Sequence, residues 1–500
     1  MLIGCQNRHY NYSEDTEYSF SEWENDIPIY TEPVFDDTNT AIPTNNPHYP
    51  VTIEQQPEVV WDNSQTSLKT GKKKLDFYNI NDIHGTVDEK GNYAGIRKIS
   101  SYVKTQRDKN PNGYVFTSSG DSWQGSADSN LTRGILIDTW LEHLGCSAMA
   151  LGNHEFDWTI DTITYNDSLT NFPFLACNII RSDNNEVVDW VRPFTTITRN
   201  GVNIGIIGAI GEGITSSITA SHVRGLTFAD PLPYVAEWSN YLKNNGADVI
   251  LFLYHYSTED LSSEYANYVD AIFGGHNHAF ESNYINGIPA IEAAAYGKGL
   301  GHIQLMYDFD NNKVVARVGE TISSKAISLY NEDKVTNALI ASFSSVINEI
   351  KNEKVAYIPG GLSDENLVLL MERYMYKYYL ENEENPKTLF SIRHNQSRQD
   401  LPSGYVTYGD IYSAFPFDNA LVVCKSNYEY ADYHAYTSYY PNGNDASTLK
   451  DENDDVYLLT INYLSEHETY GEYLTEVQVY NGAFPRDIMK KYIGEDYPLR

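Results

Sequence analysis

Basic residues are scarce in this chain: 35 Lys and Arg stand against 68 Asp and Glu in 500 residues, a net charge of −33. A surface so short of cations repels nucleic-acid backbones and anionic membrane faces, so an anionic ligand must be small and drawn in by something local. Cysteine is rare too, with four residues. Cys146, Cys177 and Cys424 show neither zinc-type spacing nor a disulfide framework. No apolar run is long enough to span a bilayer. No internal repeat is found, which sets aside repeat architectures. What the chain has in quantity is tyrosine, 41 residues, within a hydrophobic content of 41%. At this length two domains are expected rather than one core.

The amino end reads differently from the rest. Met1-Leu2-Ile3-Gly4-Cys5 resembles the tail of a bacterial lipobox, in which the cysteine becomes the lipidated residue. On that reading Cys5 anchors the chain to a membrane, and the protein works outside the cytoplasm at the bacterial cell surface. The alternative is a chance tetrapeptide. Residues 6–71 read as a disordered acidic tether, rich in Tyr, Asn, Thr and Pro and without an apolar period. From Lys72 onward strands alternate with amphipathic helices, which predicts an α/β domain over 72–325. Strands are expected at 75–80, 114–117, 147–151, 174–179, 202–210, 248–254 and 269–273, with helices around Ile96–Val103 and Leu136–Leu144. A connector covers 326–356. Within it 331–353 reads as one helix with Val335, Leu339, Ile340, Phe343, Val346 and Ile350 as its apolar stripe. A smaller domain follows over 357–500, with a helix near 363–380 and strands near 405–412, 420–424 and 456–462.

Carboxylates, imidazoles and amides concentrate just after the predicted strands. The segments are Asn81-Asp82-Ile83-His84-Gly85, Gly120-Asp121-Ser122-Trp123-Gln124-Gly125, Gly152-Asn153-His154-Glu155-Phe156-Asp157 and Gly274-Gly275-His276-Asn277-His278, and His255 ends the apolar run Val249–Tyr254. In open α/β folds ligands bind beyond the carboxyl ends of the strands. Hard carboxylate oxygen together with borderline imidazole nitrogen suits a pair of divalent cations, and a carboxylate such as Asp121 has two oxygens with which to bridge them. Taken singly, each residue has a plainer reading: an isolated Asp is more often a helix cap or turn residue, and an isolated His a satisfied core residue. Five such segments at successive strand ends favour the metal reading.

These motifs resemble the calcineurin-like metallophosphoesterases, and among them the secreted 5'-nucleotidase family. The resemblance runs over about 72–310 and includes Ile288–Gly301. It implies a four-layer α-β-β-α sandwich followed by a smaller α/β substrate-binding domain. It implies that Asp82, His84 and His278 bind one metal ion, that Asn153, His255 and His276 bind the other, and that Asp121 bridges. His154 and Asp157 match the family's catalytic pair, His154 serving the phosphate and the leaving oxygen and Asp157 orienting its imidazole. The mixed nitrogen and oxygen set does not distinguish Zn, Mn, Fe or Co.

In the second half, Leu401–Tyr412 and Phe415-Pro416-Phe417-Asp418-Asn419 resemble the family's substrate domain. Arg398 keeps the arginine of the motif N-x-G-G-x-R, whose asparagine and glycines are lost in Arg393–Arg398. Phe417 and Tyr463 match the two aromatics that would sandwich a base. His467-Glu468-Thr469-Tyr470 stands where G-G-D-G should be, so the nucleoside-reading carboxylate has no counterpart. The expected function is hydrolysis of a small phosphate ester, a nucleoside 5'-monophosphate first. A phosphodiesterase for cyclic nucleotides or nucleotide-sugars, a phosphatase for another ester, and a surface binding protein without turnover stay open. A nucleic-acid polymer is not an expected partner.

Overall fold

The computed structural model of the chain describes residues 57–62, 64, 68–259, 261–387, 389–392, 394, 397–427, 455–467, 471 and 473–500. Cys5 and the tether up to residue 56 lie outside them, as do Arg393 and residues 468–470.

The chain between Lys72 and Ser323 forms two six-stranded sheets and a small ribbon. The strands are β1 (Lys72–Ile80), β2 (Tyr114–Ser118), β3 (Cys146–Ala150), β4 (Phe174–Leu175), β5 (Ile179–Arg181), β6 (Phe194–Arg199), β7 (Val202–Ile210), β8 (Leu226–Phe228), β9 (Val249–His255), β10 (Ala271–Phe273), β11 (Phe280–Ile285), β12 (Ile288–Ala293), β13 (Gly299–Asp308) and β14 (Lys313–Ser323). One sheet has the order β14-β13-β1-β2-β3-β4 and the other β11-β12-β10-β9-β7-β6, while β5 pairs with β8. β1 to β4 run parallel, as do β7, β9, β10 and β12; antiparallel strands lie at the edges. Parallel strands covered on both faces read as unbroken apolar runs, and β7 and β9 are buried at every position.

The sheets pack face to face through Leu75, Phe77, Ile204, Leu251, Phe273 and Leu305. The outer face of the first carries the helices Ile96–Lys109 and Ile135–His143 through Ile99, Val103 and Trp140. The outer face of the second carries the helix Pro231–Asn244 through Val235, Trp238 and Leu242. The result is the expected four-layer α-β-β-α sandwich. Cys146, Cys177 and Cys424 are free thiols.

Beyond it lie β15 (Lys354–Ile358), β16 (Leu389–Ile392), β17 (Gly404–Thr407), β18 (Leu421–Asn427), β19 (Asp455–Ile461) and β20 (Thr475–Tyr480). β15 pairs with β17, and the remaining four form a sheet of order β16-β19-β18-β20. The helices Asp364–Asn382 and Pro485–Asp496 share a core with them. Asp418 joins the two halves: Arg133 donates to one of its oxygens at 2.6 Å and Arg486 pairs with the other, while Asn130 donates to the Pro416 carbonyl at 2.7 Å.

Four expectations need correction. The tether ends earlier than residue 71: Trp61 Nε1 donates to the Asn245 carbonyl at 2.8 Å, the Asp62 amide donates to Thr198 Oγ1 at 3.1 Å, and Thr196 Oγ1 donates to the Val60 carbonyl at 2.9 Å. The helix expected over 331–353 is two helices, Lys334–Ser342 and Ser344–Lys351. Ser342 and Ser344 hydroxyls donate to the Leu339 and Ala341 carbonyls and compete with the helical ladder there. Val335 and Ile350 of its stripe are exposed, whereas Leu339, Phe343 and Ile347 are buried; the Val346 side chain lies outside the described set. The strand expected near 405–412 stops at Thr407, which caps the helix Tyr408–Ala414 in a capping box with Asp410. The strand expected over 174–179 breaks because Asn178 turns its side chain to the Ile210 and Ala229 carbonyls, sending β5 to pair with β8.

Candidate active site

The parallel strands of both sheets deliver their carboxyl ends to one place. Asp82 and His84 follow β1, Asp121 follows β2, Asn153 follows β3, His255 ends β9, and His276 and His278 follow β10. Asp82, His84 and His278 form one donor group, Asp121, His255 and His276 a second, and Asp121 also groups with His84 and His154. In the first group His84 Nε2 lies 3.0 Å from His278 Nε2, and Asp82 Oδ1 lies 3.9 Å and 3.6 Å from these two nitrogens. In the second, His255 Nε2 is 3.3 Å from Asp121 Oδ1 and 3.2 Å from Asn153 Oδ1, and His276 Nδ1 is 2.9 Å from that same amide oxygen. Asp121 is the member with neighbours on both sides. The structure thus brings together all seven residues expected as ligands.

The donor set fits divalent cations. Donor atoms at tetrahedral positions around one zinc-sized ion stand roughly 3.3–3.6 Å apart, close to the separations seen. The imidazoles are oriented for lone-pair donation: His84 Nδ1 faces the Gln124 carbonyl at 3.2 Å and His255 Nδ1 the Ser119 carbonyl at 2.7 Å, so each Nδ1 carries its proton and leaves Nε2 to ligate. Burial lowers His276 and His278 to about 4, which keeps them neutral at pH 7, the form that binds metal. Burial, with the charge of Asp121 added, pushes Asp82 and Glu155 up to about 7. Carboxylates packed this densely call for positive charge between them.

The loops holding these donors are strained. Asp82, His84, Asp121, His276 and His278 have φ of 51°, 46°, 52°, 75° and 58°, the left-handed region that costs a non-glycine residue roughly 1–2 kcal/mol. Two residues that the motif reading gave no role hold the backbone there. Glu155 is fully buried, and its carboxylate accepts the amides of Asp121 at 2.9 Å, Ser122 at 2.8 Å and Gly152 at 2.7 Å, tying two motif loops together. Asn81 donates to Asp82 Oδ2 at 2.7 Å and to the Ala294 carbonyl at 2.6 Å, and accepts the Ala293 amide at 3.1 Å. The signal for Glu155 lay inside its motif: an acid among apolar neighbours has to find donors. Gly152 leaves room for this arrangement, since a Cβ there would lie 2.3 Å from Asp121 Oδ1.

Beside the donors, His154 Nδ1 lies 2.8 Å from Asp157 Oδ2. Burial works against a charged His154, but Asp157 and Asp121 outweigh it and its pKa is raised. Arg398 reaches across from the second half: Nη2 lies 3.2 Å from His154 Nε2, Nη1 donates to Tyr296 Oη at 3.2 Å, and the guanidinium sits 5.0 Å from the Phe417 ring centre. The Phe417 ring also lies against His154, with centroids 5.4 Å apart. A cavity of about 380 Å³ opens here between the halves, lined by Asp121, Asn153, His154, Asp157, Arg398, Phe417 and Tyr463 among others. The residues expected to meet substrate therefore share one cavity with four of the donors, Asp121, Asn153, His276 and His278. Sequence reasoning missed Tyr296, which packs 5.0 Å from His84 between ring centres, and His222, on the cavity wall.

Residues 75–280 match the calcineurin-like phosphoesterase family, and this part of the chain is a domain of that class. Individual resemblances point to nucleotide-processing enzymes. The chain is 28% identical over 287 residues to a 5'-nucleotidase of Diplobatis ommata, covering 50% of this chain and 48% of that protein. It is 23% identical over 394 residues to Endonuclease YhcR of Bacillus subtilis (strain 168), covering 69% of this chain and 31% of that protein. It thus spans about half and about a third of the lengths of these relatives. The crystal structure of a 5'-nucleotidase precursor from Thermus thermophilus shares the fold, with a TM-score of 0.68, 16% identity, and coverage of 86% of this chain and 97% of that one.

Proposed function

We propose that this protein is a hydrolase of small phosphate esters that uses two divalent cations, and that its substrates are nucleoside 5'-monophosphates. The observation that carries this reading is the convergence of seven donor side chains, with Asp121 grouped with His255 and His276 on one side and with His84 on the other, beside the His154–Asp157 pair and at the wall of a cavity that the second half of the chain closes. Asp82, His84 and His278 would hold one cation and Asn153, His255 and His276 the other, with Asp121 between them. When bound, such a pair supplies Lewis-acid polarisation of a phosphoryl group and acidifies a water for attack.

The chain's own residues do the rest. Asp157 accepts a hydrogen bond from His154 Nδ1–H and fixes the ring, leaving Nε2 at the cavity wall to meet the oxygen on which charge develops as the ester breaks. Arg398, now against His154, supplies a planar cation for an ester oxygen. Phe417 and Tyr463 offer aromatic surface to a leaving group without reading its identity, which suits a base-tolerant enzyme. The net charge of −33 supports a small substrate over a polymer. Residues 72–325 act on this reading as the catalytic unit, 326–356 as the connector and 357–500 as the substrate domain. Cys5 serves as a lipid anchor at the cell surface, which mass spectrometry of the native amino terminus would verify.

The reading is tested on purified, metal-loaded protein with AMP, 4-nitrophenyl phosphate and bis(4-nitrophenyl) phosphate. Monoester turnover together with two bound metals is expected. Asp121→Asn should remove most activity and at least one metal, because a neutral amide cannot balance two dications. Turnover of the diester alone would move the substrate class. Full activity of the Asp121 variant with both metals retained would overturn the centre.

A further inference from the structure

The cavity has a wall that the motifs do not account for. The segment Ala220–Val223 forms a short turn of helix after Thr219, and Ser217, Thr219 and His222 line the cavity together with Asp157, Phe417 and Tyr463. This wall is fixed from two sides. Tyr463 Oη donates to the Ser216 carbonyl at 3.0 Å, and the Ser221 amide donates to Glu466 Oε2 at 2.8 Å, so the second half of the chain holds the segment in place. From within the first half, His222 Nδ1 lies 3.1 Å from the Phe156 carbonyl. Phe156 sits in sequence between His154 and Asp157, so His222 is pinned to the backbone of the catalytic pair. A carbonyl can only accept, so Nδ1 carries a proton, and in the neutral imidazole Nε2 bears the lone pair. Nε2 makes no hydrogen bond among the described residues. The ring is partly exposed, on the cavity side.

We propose that His222 is a specificity-determining residue whose Nε2 accepts a hydrogen bond from a hydroxyl of the leaving group. The inference rests on the phosphate-ester reading and deepens it. On the proposed reading His154 Nε2 marks the side of the cavity to which the leaving oxygen departs, and His222, held on the Phe156 carbonyl, lines the same cavity. Its lone pair selects a donor, so it favours a polyhydroxylated leaving group such as ribose over an aryl or alkyl alcohol. Ser217 and Thr219 add hydroxyl-bearing side chains to the same wall. A nucleoside would then meet aromatic surface from the second half of the chain and a hydroxyl-reading wall from the first.

A substrate-and-residue cycle on the full, metal-loaded chain tests this. The substrates are AMP, 2',3'-dideoxy-AMP and 4-nitrophenyl phosphate, and the variants are His222→Ala and His222→Phe, the second keeping ring volume without either nitrogen. Wild type is expected to prefer AMP to the dideoxy compound. Each variant should lower kcat/KM for AMP about three- to tenfold, the loss of one neutral hydrogen bond, chiefly through KM, and should no longer separate the two nucleotides. If both variants lower the two nucleotides equally, or leave AMP unchanged, His222 does not read the hydroxyls and the inference is wrong. If wild type turns over 4-nitrophenyl phosphate but neither nucleotide, the phosphate-ester hydrolase survives, while the nucleotide substrate and this inference fall together. If it turns over none of the three, the hydrolase falls with them.

Discussion

At the scale of single residues, the question is which imidazoles hold metal and which serve the reaction. His84, His255, His276 and His278 direct their free nitrogens at one another or at carboxylate and amide oxygens, whereas His154 Nδ1 is engaged by Asp157 and its Nε2 lies 3.2 Å from Arg398 Nη2 and 4.0 Å from Asp121 Oδ2 at the cavity wall. His154→Ala should therefore lower kcat by roughly 10²–10³, as expected for loss of one transition-state stabiliser, with bound metal near the wild-type amount. Kinetics alongside elemental analysis decide it, and loss of a metal would make His154 a ligand. The donors were legible in the sequence because ligating residues break the apolar pattern at strand ends, and they do so five times in order. Asn81, Glu155 and Tyr296 were harder to read, since they act through backbone amides and ring contacts that no spacing rule records.

At the scale of elements, the strand-end loops are shaped against their intrinsic preference, and buried polar contacts keep them there. Glu155 contributes most visibly, with three amides from two loops on one carboxylate. Glu155→Gln replaces one acceptor oxygen by a donor that faces those amides, so each charge-assisted hydrogen bond lost should cost roughly 1.5–3 kcal/mol. A lower melting temperature and weaker metal retention are expected in the same variant. An unchanged melt with full metal content would show that the loops hold themselves. Element types were mostly readable, because two sheets buried on both faces produce long apolar strands. The misreadings had local causes. Thr407 and Asp410 carried a capping-box signature that the apolar pattern of Tyr405, Val406, Ile411 and Tyr412 masked. The connector broke at serines whose hydroxyls compete with the helix.

At the scale of the whole molecule, a chain with 68 acids against 35 bases depends on where its cations are placed. Asp333 gathers Lys104 at 2.8 Å, the Thr336 amide at 2.8 Å and His143 at 3.3 Å. Burial raises its pKa, but the hydrogen bonds from His143, Lys104 and Thr336 outweigh it and hold the carboxyl well below its usual range. Asp76 is depressed in the same way: burial opposes, and His302, Lys74, Asn110 and Gln304 prevail. A depressed folded pKa contributes stability that is fully present above the unfolded value of about 3.9 and is lost as pH falls below it. Denaturant titrations between pH 7 and pH 2 should show stability falling below about pH 4, with a shallower fall in Asp333→Asn, whose amide still caps the helix. Equal slopes in the two proteins would remove Asp333 from the account. The two-part organisation was visible in the sequence as a change of pattern near residue 330. The way the parts meet, through Asp418 between Arg133 and Arg486, was not, because pairing across 285 and 68 positions leaves no trace in local pattern.

The short stretch ending at Asp62 has a further consequence. β6 is the last strand of its sheet, and Val60 and Asp62 reach its Thr196 and Thr198 side chains. An uncovered outer strand is a template for pairing with another chain. Trimming the protein to begin at Lys72 would leave every cavity residue in place yet bare that margin. Such a shortened form should self-associate on size-exclusion chromatography at concentrations where a form beginning before Pro57 elutes as a single species. If both elute alike, the stretch is a passive passenger rather than a guard.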